Sequence, residues 1–180
     1  LILAGYGIKL AHAEKEFRQL LDKLNIPFVS SWTASDMVPT DQPLYIGRIG
    51  IYGQRGANLA VQNCDLLICI GSHLSIPLTG TLFEAFAREA KIIMIDIDNN
   101  ELAFKSKRVD IAINCDAKYF LQTMLKQSLQ EHYYKVDAWW VNKCAKYKRY
   151  NSVPDEWKKE NAYANPYVFM DFLSDELPGD

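Results

Sequence analysis

The sequence predicts an α/β protein, a three-layer Rossmann-like parallel sheet of about six strands with helices on both faces. Three observations carry this. Short apolar runs alternate with helical patterns along most of the chain. "DLLICIG" (65–71) and "KIIMIDID" (91–98) show no polar alternation, as expected of strands covered on both faces. The first run, Leu1–Ala4, feeds directly into the glycine turn Gly5-Tyr6-Gly7.

After that turn, "AHAEKEFRQLLDKLN" (11–25) places Phe17, Leu20, Leu21 and Leu24 at helical spacing with charges on the other side. "IPFVSS" (26–31) is a short strand with Pro27 near its start, where a missing N–H is tolerated. Residues 32–53 are rich in Gly, Pro and Asp and read as a long irregular loop. A helix is expected over Arg55–Asn63, then the strand at 65–71, a helix over 81–90 and the strand at 91–98. "VDIAIN" (109–114) is a further apolar strand, and Asp116 caps a helix running to about Gln130.

Beyond residue 130 the composition turns to aromatics and lysines. Trp139 and Trp140 are expected to pack an amphipathic helix onto a neighbour, and residues 151–165 to cross the surface as a linker. Asn165 and Pro166 then open a fresh helix as N-cap and first residue. The expected division is an α/β domain over 1–130, a helical and linker segment over 131–162, and the start of a following domain over 163–180.

Bulk properties narrow the function classes. The chain has 180 residues, 49% of them hydrophobic, enough for one good core or one domain with an appendage. Its 20 basic and 22 acidic residues give a net charge of −2, so no broad electropositive footprint points to nucleic acid. No apolar run approaches the roughly 18 residues that span a bilayer. "LILAGYGIKL" has neither the charged start nor the cleavage site of a signal peptide. Cys64, Cys69, Cys115 and Cys144 form no CxxC pair and read as reduced, mostly buried thiols of a cytoplasmic protein. His12, His73 and His132 lack metal-ligand spacing, so no metal site is expected from them. Leu1 already lies inside a strand-like run, and "LSDELPGD" stops just after a helix; both ends read as cuts in a longer polypeptide.

Three places could carry chemistry. Gly5-Tyr6-Gly7 either lets the backbone approach a phosphate or is merely a tight turn, since the third glycine of the dinucleotide fingerprint is missing. Asp96-Ile97-Asp98 ends a strand where a carboxylate accepts a ribose hydroxyl, or else serves as a helix N-cap. Gly71-Ser72-His73 follows the strand at 65–71, where backbone amides and hydroxyls line a crevice at the sheet's carboxyl edge. No nucleophile or orienting acid accompanies His73, so catalysis there is not expected.

Four stretches, in order, resemble the central domain of thiamine-diphosphate-dependent enzymes of the acetolactate synthase type. They are "LILAGYGI", "PLYIGRIGIYGQRGANLAVQNCDLLICIGSHLS", "AKIIMIDIDNNEL" and "NPYVFMDFLSDELPGD". The resemblance implies a three-domain transferase or carboligase, a homo-oligomer acting on a 2-keto acid such as pyruvate. In that family the first domain supplies a glutamate that activates the thiamine ring. The third carries a Gly-Asp-Gly segment, ending in Asn-Asn, that holds Mg²⁺ and the diphosphate. The middle domain stabilises subunits and in some members holds FAD. This chain lacks the Gly-Asp-Gly segment, so no catalytic residue is assigned to it and the fragment alone is expected to be inactive.

The resemblance also sets expectations for a nucleotide. In flavin-holding relatives a Gly-Met-His-Gly turn and a Gly-Ala-Arg-Phe-Asp-Asp-Arg loop grip FAD. The matching positions here are Gly50-Ile51-Tyr52-Gly53 and Gly71 to Pro77, with Tyr52 in place of the histidine and His73 and Pro77 in place of the arginines. Charge-assisted hydrogen bonds contribute about 1.5–3 kcal/mol each, so losing two weakens binding by about two to four powers of ten. The strand-end acids Asp96, Asp98 and Asp116 remain. Tight FAD binding is therefore not expected; ADP, held more weakly, or no nucleotide is. Two other readings stand beside this one. One is a free-standing nucleotide-binding or regulatory module. The other is an NAD-dependent deacylase, which needs a catalytic His beside an NAD ribose and a zinc-binding cysteine set.

Overall fold

In the computed structural model, which describes residues 1–103, 109–128, 136–159 and 162–177, the first strand sets the architecture. Strand β1 (Ile2–Ala4) buries both faces: Leu1 and Leu3 enter one apolar cluster, Ile2 and Ala4 another. The same alternation repeats in β4 (Leu66–Ile70), where Leu67 and Cys69 join the first cluster and Ile68 and Ile70 the second. It repeats again in β5 (Lys91–Asp96), with Ile92 and Met94 against Ile93 and Ile95. Two-sided burial removes any need for polar alternation, which is why these strands read as unbroken apolar runs.

With β2 (Phe28–Ser30), β3 (Tyr45–Arg48) and β6 (Ile111–Asn114) these strands form a parallel sheet of order β3-β2-β1-β4-β5-β6. The chain moves outward from β1 to β3, then returns beside β1 as β4. The order reverses between β1 and β4, the place where open α/β sheets hold ligands.

Helices α1 (Gly7–Leu10), α2 (Glu14–Leu24), α3 (Arg55–Asn63), α4 (Ile76–Thr79) and α5 (Asn99–Leu102) lie in the crossovers between strands, and α6 (Ala117–Gln127) and α7 (Ala138–Lys148) follow the last strand. Phe17, Leu20 and Leu21 of α2 and Leu121 of α6 cover one face of the sheet; Ala57, Ala60 and Val61 of α3 and Cys144 of α7 cover the other.

Four local expectations need correction. The segment 32–53 is not all loop: it contains β3, whose Tyr45 stacks on Phe28 at 5.1 Å and hydrogen-bonds Ser30 at 2.8 Å between hydroxyls. The helix expected over 81–90 does not form. Gly80 (φ +82°) and Ala87 (φ +47°) interrupt the chain there, leaving a single 3₁₀ turn at Phe83–Ala85. The helix expected over 11–25 forms as α2 but begins only at Glu14, because His12 turns left-handed (φ +49°), and a separate short helix, α1, precedes it. Trp140 does pack on the core, but Trp139 is 63% exposed.

The chain divides into two compact units, Leu1–Tyr150 and Asn151–Asp180. In the second, α8 (Asp155–Lys158) lies within the expected linker, and α9 (Pro166–Glu176) begins as foreseen. Asn165 Oδ1 accepts from the amides of Tyr167 and Val168 at 2.9 and 3.4 Å, with Pro166 in the first turn. His132, the segment 131–135 and the Pro-Gly pair at 178–179 lie outside the described residues.

Candidate functional site

Two loops meet where the strand order reverses. Gly5 N donates to Ile70 O and Gly7 N to Gly71 O, each at 2.9 Å, and Gly71 N donates to Ile95 O at 2.9 Å. A methyl group on Gly5 would sit 2.0 Å from Gly71 O, and one on Gly7 would sit 2.7 Å from Gly71 Cα. Gly71 also turns left-handed (φ +58°). These glycines are needed so that two backbones can touch. Gly5-Tyr6-Gly7 is a tight turn, held against a neighbouring loop.

Beside this contact opens a crevice of about 320 Å³. Gly7, Gly71, Asp96 and Asp116 line it, joined by Tyr6 and Cys115, which carried no signal of their own. Leu10, Ile95, Ile97 and Ala117 supply apolar wall. Asp96 Oδ1 accepts from Asp98 N at 2.9 Å; Asp116 Oδ1 caps α6, accepting from the amides of Lys118 and Tyr119 at 2.8 and 3.1 Å. Each acid thus commits one oxygen to its own loop, and the other has no hydrogen-bond partner among the described residues. Burial and the adjoining Asp116 charge raise the Cys115 thiol above its ordinary range. The lining holds carboxylates and no lysine or arginine among the described residues.

Other expected residues lie elsewhere. Asp98 caps α5, accepting from Asn100 N at 2.8 Å. The His73 ring is directed to α5, with Nδ1 2.5 Å from Glu101 Oε2, and is largely exposed. Tyr52 stands out in solvent against Trp32, ring centroids 4.9 Å apart. Gly53 closes a turn, its amide donating to Gly50 O at 3.0 Å. That turn rests on the loop after β4: Ile51 N donates to Pro77 O at 2.9 Å. Ser72 is buried next to Gly5, and its hydroxyl has no hydrogen-bond partner among the described residues. Trp32, directly beyond β2 at the same carboxyl edge, carries no signal of its own in the sequence.

Chemically, this crevice offers acceptors and apolar surface. It does not fit a diphosphate, whose charge would face two carboxylates with no guanidinium to offset them. Among the described residues no three His, Cys, Asp or Glu side chains are grouped to hold a metal ion, and no helix is long and apolar enough to cross a membrane.

Residues 1–124 match the family model described as thiamine pyrophosphate enzyme, central domain. The chain is 42% identical to the "Probable acetolactate synthase large subunit" of Methanocaldococcus jannaschii over 124 residues, 69% of this chain and 21% of that protein. It is 30% identical to the acetolactate synthase isozyme 2 large subunit of Escherichia coli over 180 residues, 100% of this chain and 31% of that protein. With the acetolactate synthase large subunit of Corynebacterium glutamicum it shares 36% identity over 125 residues, 69% of this chain and 20% of the relative. The chain therefore spans between about a fifth and a third of the length of these curated relatives.

Proposed function

The chain belongs to the thiamine pyrophosphate enzyme central-domain family, and from that membership we propose that it is the scaffold domain of an acetolactate synthase-like enzyme. The full protein would decarboxylate a 2-keto acid such as pyruvate and join the remaining fragment to an acceptor carbonyl, as a cytoplasmic homo-oligomer. The observation that carries this reading is the family match itself, whose residues 1–124 contain every strand of the sheet.

The electron-sink chemistry of such enzymes comes from thiamine diphosphate when bound. Among the described residues no group of His, Cys, Asp or Glu is set to hold a metal ion, and in this reading thiamine diphosphate and Mg²⁺ would be held by domains flanking this one. Residues 1–130 would supply subunit packing and one wall of the substrate channel, and 163–180 the opening of the next domain. In the crevice, Asp96 and Asp116 would accept hydroxyls of a nucleoside, with Gly5, Gly7 and Gly71 setting the backbone floor. ADP would be held weakly through its adenosine half, and FAD more weakly than in relatives that keep both arginines.

The test compares the whole reading frame with residues 1–180, each supplied with thiamine diphosphate, Mg²⁺ and pyruvate. Carbon dioxide release by the whole protein and none by the 180-residue segment is expected. Turnover by the segment alone, or a reading frame without thiamine-binding domains on either side, overturns the proposal.

A further inference from the structure

Helix α7 carries a surface that the proposed activity does not use. Ala138–Tyr150 holds Lys143, Lys146, Lys148 and Arg149 and no acidic residue, in a chain whose net charge is −2. The inward side is accounted for. Cys144 is buried, and Trp140 and Tyr147 pack against the core. Lys148 Nζ donates to Thr40 O at 2.8 Å and Gln42 O at 2.9 Å, pinning the end of the helix to the turn before β3.

Outward, Trp139, Lys143 and Lys146 follow one another at helical spacing, close enough to form one stripe, and Tyr150 follows in the 3₁₀ turn Arg149–Asn151 just beyond the helix. Trp139 and Tyr150 are 63% and 58% exposed. Lys143 Nζ sits 4.7 Å from the Trp139 ring and 5.9 Å from the Tyr147 ring, which holds the ammonium in place over two aromatic faces. Neither Lys143 nor Lys146 meets a carboxylate among the described residues.

We propose that this stripe of α7 is a docking surface for an acidic peptide segment of a partner protein. Two ammonium groups without a carboxylate call for negative charge, and complementary charge steers and orients such encounters. An exposed tryptophan on a fixed helix, with an exposed tyrosine in the turn that follows it, is the kind of side chain that anchors protein interfaces at low entropic cost. A membrane fits less well, because the apolar side of α7 is already spent on the core and Trp139 is left with little to insert. Nucleic acid fits less well, because one short stripe on a net acidic chain is a small cation track for a phosphate backbone.

The experiment titrates the full-length protein into a fluorescein-labelled, blocked peptide of repeated Glu-Leu-Glu-Glu and follows anisotropy. Saturable binding is expected, falling as salt rises. Lys143→Glu combined with Lys146→Glu should weaken it by roughly tenfold or more, and Trp139→Ala or the milder Lys143→Gln by less. Lys126→Glu, an exposed cation on α6, should leave it unchanged. Thermal denaturation checks that each variant is folded. Absence of saturable binding, or equal binding by the α7 variants, overturns the proposal. So does tighter, α7-dependent binding of phosphatidylglycerol vesicles or of a single-stranded oligonucleotide. None of these outcomes bears on the thiamine reading.

Discussion

The crevice at the ends of β1, β4, β5 and β6 and the pair of loops at 50–53 and 71–77 lie on the same edge of the sheet but are specified differently. Backbone shapes the crevice: Gly5 and Gly7 touch Gly71, and no side chain takes part in the contact. The loop pair is also joined by backbone, through Ile51 N and Pro77 O, but anything it does to a ligand depends on the side chains at 52, 73 and 77. Those side chains face solvent or each other's neighbours, and the fold places few demands on them. The difference teaches that shape and grip are encoded separately. A chain can keep the first while exchanging the second.

The strongest test of that separation is Gly5→Ala. Its new methyl would lie 2.0 Å from Gly71 O, a backbone atom that cannot turn aside. Urea denaturation should show a loss of about 3–5 kcal/mol, the range of severe core disruption. A cost below about 1 kcal/mol would mean that the loops are not held by this contact, and the comparison would break at its first term.

The second test restores grip to an unchanged shape. His73→Arg with Pro77→Arg places two guanidinium groups where the flavin-holding pattern has them. Calorimetry should then show ADP binding tightened by about two powers of ten, the low end of what two charge-assisted bonds provide. The low end is expected because Glu101, already against position 73, competes for one of them. Unaltered ADP affinity would show that the crevice and the loop no longer belong to one site.

Much of this architecture could be read from the residues, and the exceptions have physical causes. The apolar runs at 65–71 and 91–98 named their strands because two-sided burial erases alternation. Strand β3 stayed hidden among Pro39, Pro43, Gly47 and Gly50, since four residues between such breakers show no period. The helix at 81–90 does not form, and nothing in the letters marks Ala87, which is buried in the core, as left-handed. In the site, Asp96 and Asp116 were recognisable as strand-end acids, whereas Tyr6, just after β1, and Cys115, just after β6, become wall residues only because the sheet brings these strand ends to one edge. His73, singled out for its chemistry, is drawn to Glu101, 28 residues away.

Cys115 gives a gentler probe of the crevice. Its raised pKa leaves little thiolate at neutral pH, so native alkylation by iodoacetamide should be slow and should quicken only as the pH rises past the ordinary thiol range. Cys64 and Cys144, buried and pushed up to about 11 and about 12, should react only on unfolding. Adenosine should slow Cys115 labelling several-fold, read by mass spectrometry of the labelled peptide. Unchanged labelling at saturating adenosine would sharpen the comparison differently, leaving a crevice that keeps its shape but takes no nucleoside.

The smallest expected effect separates two reasons for glycine. Gly80 adopts φ +82° and ψ 175°, a region almost closed to other residues, yet a methyl group there meets nothing within 4 Å. Gly5 is the reverse case, absent from the positive-φ residues but with no room for a methyl. Gly80→Ala should therefore cost only the local backbone strain, about 1–2 kcal/mol, less than Gly5→Ala in the same urea titration. Gly71→Ala combines both penalties, with φ +58° and a methyl 2.6 Å from Gly7 Cα, and should cost at least as much as Gly5→Ala. If Gly80→Ala proves as damaging as Gly5→Ala, strain rather than contact governs this edge of the sheet. The crevice would then owe its form to the individual turns, and the meeting of the two loops would be a consequence of them.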